Sequence, residues 1–83
     1  MTKEDIKKTI VETVYEVAPE HEGEEIPENE NLQESLEIDS YDFLNLLTAL
    51  ADKLGVEVPE EDYGKVDTLE HMVEYFAEHM KNR

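Results

Sequence analysis

The stretch Ser40-Tyr41-Asp42-Phe43-Leu44-Asn45-Leu46-Leu47-Thr48-Ala49-Leu50-Ala51-Asp52-Lys53-Leu54-Gly55 decides the fold of this chain. It is rich in good helix formers and holds no Gly or Pro before Gly55. Leu46, Leu47, Leu50 and Leu54 recur at helical spacing and define one buried stripe. Gly55 lies just past the last turn, where a left-handed cap is expected. A helix over Ser40–Leu54 follows. Tyr41, Leu44 and Thr48 are spaced by three and four residues and form a second stripe, offset from the leucines. Tyr41 and Leu44 are therefore candidates for a partly exposed apolar patch. The competing reading is that they cover the ends of neighbouring helices.

Working outward, Ile6, Ile10, Val14 and Val17 repeat on one face and predict a first helix over about Thr2 to Ala18. Thr2 and Asp5 have capping-box spacing. Pro19 stops that helix. From Pro19 to Asp39 the periodicity breaks, and His21, Gly23, Pro27, Asn29 and Asn31 supply loop chemistry. A loop this long needs a task or anchors. Ile26, Leu32, Leu36 and Ile38 can dock it on the core, with a short helical turn near Asn31 to Leu36. Beyond Gly55, the run Pro59-Glu60-Glu61-Asp62 can open another short helix. The last helix begins near Asp67, where Asp67 and Glu70 have capping-box spacing. Leu69, Met72, Val73, Phe76 and Met80 line one face of it, and Lys81 and Arg83 stand at its favourable positive end. The expectation is an all-α fold and a single domain over residues 1–83. Its architecture is an up-and-down bundle of three main helices plus a short helix, with a long loop after helix one.

The charge balance restricts the partners. Against 23 Asp and Glu stand 7 Lys and Arg, for a formal net charge of −16, and no Lys or Arg lies between Lys8 and Lys53. Affinity for nucleic acid comes from Lys and Arg, so nucleic acid is excluded. Anionic membrane repels such a surface as well. Proteins with basic patches are the natural partners, and their encounter is salt-sensitive. The bland alternative is that the acids only keep a small domain soluble. The chain contains no cysteine, which removes disulfides, thiolate metal sites and a cysteine nucleophile. No apolar run is long enough to span a bilayer and no signal peptide is evident, so a cytoplasmic monomer is expected.

Three constellations fail. His71 and His79 are eight residues apart on one helix, too far to share a metal ion, and there is no H-E-x-x-H. Glu28-Asn29-Glu30-Asn31 has acids but lacks the central Gly of a calcium loop. No metal site is expected. Ser40 has neither a G-x-S-x-G elbow nor a histidine near it in sequence, so a serine nucleophile lacks its base. Taken alone, Ser40 at a helix start is an ordinary cap.

The residues Leu36-Glu37-Ile38-Asp39-Ser40-Tyr41-Asp42 change that reading. They resemble the carrier-protein motif, in which an Asp-Ser-Leu triplet opens the second helix and the serine is modified. The resemblance extends through Leu46, Leu47, Ala49, Leu50 and Leu54-Gly55. It continues over Val56-Glu57-Val58-Pro59-Glu60-Glu61-Asp62 and over Asp67-Thr68-Leu69 to Val73, Tyr75 and Phe76, covering about Leu32 to Met80. The chain is thus similar to acyl carrier proteins. The resemblance implies a 4′-phosphopantetheine arm, moved from coenzyme A to Ser40 by a phosphopantetheinyl transferase. The arm supplies the thiol that the chain lacks, and acyl groups ride on it as thioesters for fatty-acid, polyketide or related lipid biosynthesis. A carrier of this kind is not an enzyme. The resemblance also assigns Asp39 to the attachment site. It makes Tyr41, Asp42, Leu44 and Thr48 a binding face for acyl-transferring or condensing enzymes with basic patches. A helix N-terminus suits a phosphate there, through its free N–H groups and macrodipole.

The departures from that pattern are local. Tyr41 replaces the triplet's Leu, and Glu37 stands where a Gly is usual. Asn45, Ala51 and Lys53 stand where carboxylates are common, and Phe43 fills a place often held by a smaller residue. They point to a dedicated pathway and to a narrower space for a buried acyl chain. An aminoacyl or peptidyl carrier is the nearest alternative, and an unmodified acidic helical adaptor is the next. Self-repulsion among the carboxylates predicts that added salt or magnesium raises the melting temperature. A thermal melt indifferent to both contradicts strong self-repulsion.

Overall fold

The computed structural model describes residues 2–81. Four α-helices follow in order: α1 (Lys3–Val17), α2 (Leu32–Leu36), α3 (Ser40–Leu54) and α4 (Leu69–Lys81). Short 3₁₀ segments occupy Pro19–His21 and Glu60–Val66. The expected all-helical bundle is the architecture found, with both short helical segments realised. Among the described residues no helix is long and apolar enough to cross a membrane. Arg83, expected at the positive end of the last helix, lies outside the described residues.

Helix α1 opens on the capping box read from the sequence. The Asp5 N–H donates to Thr2 Oγ1 at 3.1 Å and the Thr2 N–H to Asp5 Oδ2 at 3.4 Å. Ile6, Ile10 and Val14 are buried at four-residue spacing, and Val17 only partly. Helix α1 packs against both α3 and α4. Phe43, Leu46, Leu47, Leu50 and Leu54 of α3 meet Leu69, Met72, Val73, Tyr75 and Phe76 of α4 in one core. Thr13 is fully buried as well. Its hydroxyl donates to the Thr9 carbonyl at 2.7 Å and accepts from Lys53 Nζ at 2.9 Å. A buried hydroxyl is tolerated when both its roles are filled in this way.

The long loop is anchored as its hydrophobic residues predicted. Ile26, Leu32 and Leu36 are buried, and Ile38 packs partly against the core. Backbone bonds finish the attachment. The Leu32 N–H donates to the Asp67 carbonyl at 2.8 Å and the Glu70 N–H to the Glu28 carbonyl at 3.1 Å. Asn31 and Thr68 form an isolated antiparallel bridge. These bonds pair backbone groups of the loop with those at the start of α4.

The start of α4 differs from expectation by one residue. Thr68 Oγ1, not Asp67, accepts the His71 N–H, at 3.0 Å. Asp67 retains helical dihedrals from the preceding 3₁₀ segment, and a cap residue must be extended. Its carboxylate pairs instead with His71 Nδ1 at 2.7 Å. Further along α4 the Tyr75 hydroxyl donates to Asp62 at 2.8 Å, tying the 3₁₀ segment to the helix. Burial and the neighbouring carboxylate push the Tyr75 phenol up to about 12.

Glu37 ends α2 in the left-handed region, at φ 55° and ψ 40°. It is the one described non-glycine residue with positive φ. The turn must reverse the chain between α2 and α3 within three residues. A side chain there costs about 1–2 kcal/mol, partly offset in glycine by its larger unfolded-state freedom. The glycine missing from the sequence motif is thus missing where the backbone wants one. Glu37→Gly raises stability by about 0.5–1 kcal/mol in urea unfolding; an unchanged or lower midpoint contradicts the strain.

Candidate functional site

Ser40 is the first helical residue of α3, and the cap is the residue before it. Asp39 is extended, at φ −87° and ψ 179°, and its Oδ1 accepts the Asp42 N–H at 2.9 Å. Its carbonyl accepts the Phe43 N–H at 3.0 Å. Ser40 is exposed. Among the described residues its hydroxyl meets only Gln33 Nε2, at 3.5 Å, beyond the usual range for a firm bond. The ordinary-cap reading of Ser40 therefore has no geometric support. Asp39 performs that task and leaves the Ser40 oxygen uncommitted.

Beside Ser40 opens a cleft of about 320 Å³, lined by Asn31, Gln33, Phe43, Leu44, Tyr63 and Asp67. Its lining mixes polar Asn31, Gln33 and Asp67 with Phe43, Leu44 and Tyr63. Phe43, read as a bulky substitution, is buried and forms part of this lining. The His71 partner holds the Asp67 carboxyl below its ordinary value, so the rim keeps a negative charge. No histidine reaches the Ser40 hydroxyl. His21 is paired with Glu24 and the Leu36 carbonyl, His71 with Asp67, and His79 with the Tyr75 carbonyl. Among the described residues Ser40 thus has no histidine base. Among the described residues no cluster of three or more His, Cys, Asp or Glu is arranged to hold a metal ion.

The other sequence-selected residues lie on the outward side of α3. Tyr41 is 71% exposed and Leu44 39%. Thr48 is exposed and Asp42 half-buried. Tyr41 and Leu44 thus form the exposed apolar alternative rather than covers for helix ends. Lys53, an unusual cation on this helix, turns away to Glu16 and Thr13 of α1. Periodicity gave no sign of Gln33, Tyr63 or Asp67 as neighbours of Ser40. They come from α2 and from the segment before α4, and only the folded loops bring them to it.

Ser40 is an exposed serine at the head of a helix whose capping is done by Asp39. The geometry fits a phosphoryl group on Oγ, since the helix head favours negative charge. The profile of the phosphopantetheine attachment site family matches residues 8–76. The acyl carrier protein of Rubrobacter xylanophilus is 35% identical over 79 residues, spanning 95% of this chain and 96% of that protein. That of Lactobacillus johnsonii is 34% identical, spanning 95% and 98%. That of Zymomonas mobilis is 33% identical, spanning 94% of each. The chain belongs to the acyl carrier protein family. Membership gives it a 4′-phosphopantetheine group and an acyl-carrying role. Its partner classes are a phosphopantetheinyl transferase and acyl-processing enzymes, and carriers of this kind are generally non-catalytic.

The capping geometry separates two neighbouring residues. Asp39→Ala costs about 1 kcal/mol of stability, whereas Ser40→Ala changes it by less than about 0.5 kcal/mol. Equal losses in denaturant unfolding contradict this division of labour.

Proposed function

We propose that Ser40 is the residue that carries the 4′-phosphopantetheine arm, with Asp39 holding the helix head beneath it. The observation that carries this reading is the uncommitted, exposed Ser40 hydroxyl at the first position of α3, beside a cleft. A transferase takes the arm from coenzyme A and links it to Oγ. Because no histidine among the described residues reaches the hydroxyl, the transferase supplies the base. When bound, the arm supplies the thiol on which acyl groups are held as thioesters. The chain itself catalyses no reaction, and residues 1–83 act as one carrier domain.

The outward face of α3 is the docking surface. Tyr41 and Leu44 give it an apolar centre, Thr48 a polar edge, and Asp42 with Asp39 a negative rim. A net charge of −16 favours acyl-transferring and condensing enzymes with basic patches, which recognise it through steering and apolar contact. It disfavours nucleic acid and anionic membrane. The altered face, with Tyr41 in place of leucine, supports service in a dedicated branch of fatty-acid, polyketide or related lipid synthesis. The working form is a monomer in the cytoplasm.

Incubation with coenzyme A and a promiscuous phosphopantetheinyl transferase, followed by intact mass, tests the reading. The wild-type protein gains one phosphopantetheine and Ser40→Ala gains none. A wild-type protein without the gain, or a gain that survives in Ser40→Ala, overturns it.

A further inference from the structure

His21 belongs to the 3₁₀ turn after α1, and its side chain is only 19% exposed. Both ring nitrogens face acceptors. Nδ1 lies 2.6 Å from the Glu24 carboxylate and Nε2 lies 2.8 Å from the Leu36 carbonyl. A neutral imidazole carries one N–H and one lone pair. In either neutral tautomer a lone pair therefore points at an oxygen. Only the doubly protonated ring satisfies both contacts.

The Leu36 carbonyl is the last of α2. The end of that helix is crowded with turn-forming bonds. The Glu37 N–H is shared between the Gln33 and Glu34 carbonyls, and the Ile38 N–H donates to Gln33 at 3.1 Å. Glu37 holds the left-handed turn, Asp39 caps α3, and Ser40 follows. Gln33, in the same short helix, also donates to the Ser40 hydroxyl at 3.5 Å. Helix α2 has five residues, too few to be stable alone. Its end is held from outside, and His21 is the external donor at its terminal carbonyl.

We propose that His21 is a positioning residue for the attachment serine: as imidazolium it clamps the end of α2 to the end of α1 and so fixes the turn that delivers Ser40. This rests on the reading of Ser40 as the attachment point. The groups that face the ring are Glu24 and the Leu36 carbonyl directly, with Glu20 of its own turn adding negative charge. Tyr15 of α1 holds the Glu24 segment in place, its hydroxyl donating to the Glu24 carbonyl at 2.6 Å. The Glu24 bond and the Leu36 carbonyl raise the His21 pKa above its ordinary value. A raised folded-state value means that the clamp is complete below the ordinary histidine pKa. It is lost as pH rises through the folded-state value. The carrier's serine segment is then best ordered below the folded-state His21 value and loosens above it.

Amide spectra of the full chain, recorded from about pH 5 to about pH 9, read the clamp. The Glu37, Ile38 and Ser40 amide signals move with the same midpoint as the His21 ring. In Glu24→Gln both midpoints fall together. His71→Gln leaves them in place, which separates the clamp from the His71–Asp67 pair at the cleft rim. Amide signals that stay flat through the His21 midpoint, or that follow His71, overturn the proposal. Loading by a phosphopantetheinyl transferase is then compared between wild type and Glu24→Gln at one pH between their two midpoints, so the transferase's own pH dependence cancels. A lower initial rate for the variant is expected. Equal rates overturn the positioning role, while no adduct in either protein overturns the Ser40 reading on which it rests.

Discussion

The bond from Asp39 Oδ1 to the Asp42 N–H is the constraint on which the site depends. A helix start needs an acceptor for its first amides. Two adjacent residues here could supply one, and the extended backbone of Asp39 assigns the task to it. Ser40 is thereby shifted one position into the helix. Its hydroxyl then projects from a fixed first turn without being consumed by it. A serine used as the cap would have its oxygen bound to a backbone amide and would offer it less freely to a transferase. The cap is thus an arrangement for leaving the neighbour free.

The rest of the fold holds that turn in place. Phe43, Leu46, Leu47, Leu50 and Leu54 anchor α3 in the core, so the helix head has a fixed base. The turn ahead of it is less comfortable, with Glu37 in a left-handed conformation. That conformation persists because Leu32 and Leu36 are buried on one side and α3 begins on the other. Charge contributes little to this scaffold. Lys7 pairs with Glu28, Lys53 with Glu16 and Lys65 with Asp62, all with at least one partner well exposed, and exposed pairs are worth little. The excess of carboxylates remains as a negative surface field, which suits recognition rather than folding.

Much of this was legible in the sequence because the informative signals are local. The leucine stripe, Gly55 and the Thr2–Asp5 box each act within one or two turns, and each was realised. The anchors of the long loop were legible because they are isolated apolar residues in an acidic segment. The misplaced cap of α4 arose because Asp67-Thr68 offers two good capping residues in succession. The preceding 3₁₀ segment, unreadable from spacing, decides between them. The same ambiguity at Asp39-Ser40 hid the most useful fact about the site. Burial of Thr13 was not legible, since its partner is Lys53 on another helix. The neighbours of Ser40 were hidden for the same reason. Gln33, Tyr63 and Asp67 come to line its cleft only after two loops have closed.

The central claim is that the hydroxyl left free by the cap is the tether. The chain has two serines, Ser35 within α2 and Ser40 at the head of α3. Fragmentation mass spectrometry of the enzymatically loaded protein distinguishes them directly. The account predicts that every fragment carrying phosphopantetheine contains Ser40 and that the mass step falls on that residue. An adduct placed on Ser35, or on any other side chain, contradicts it.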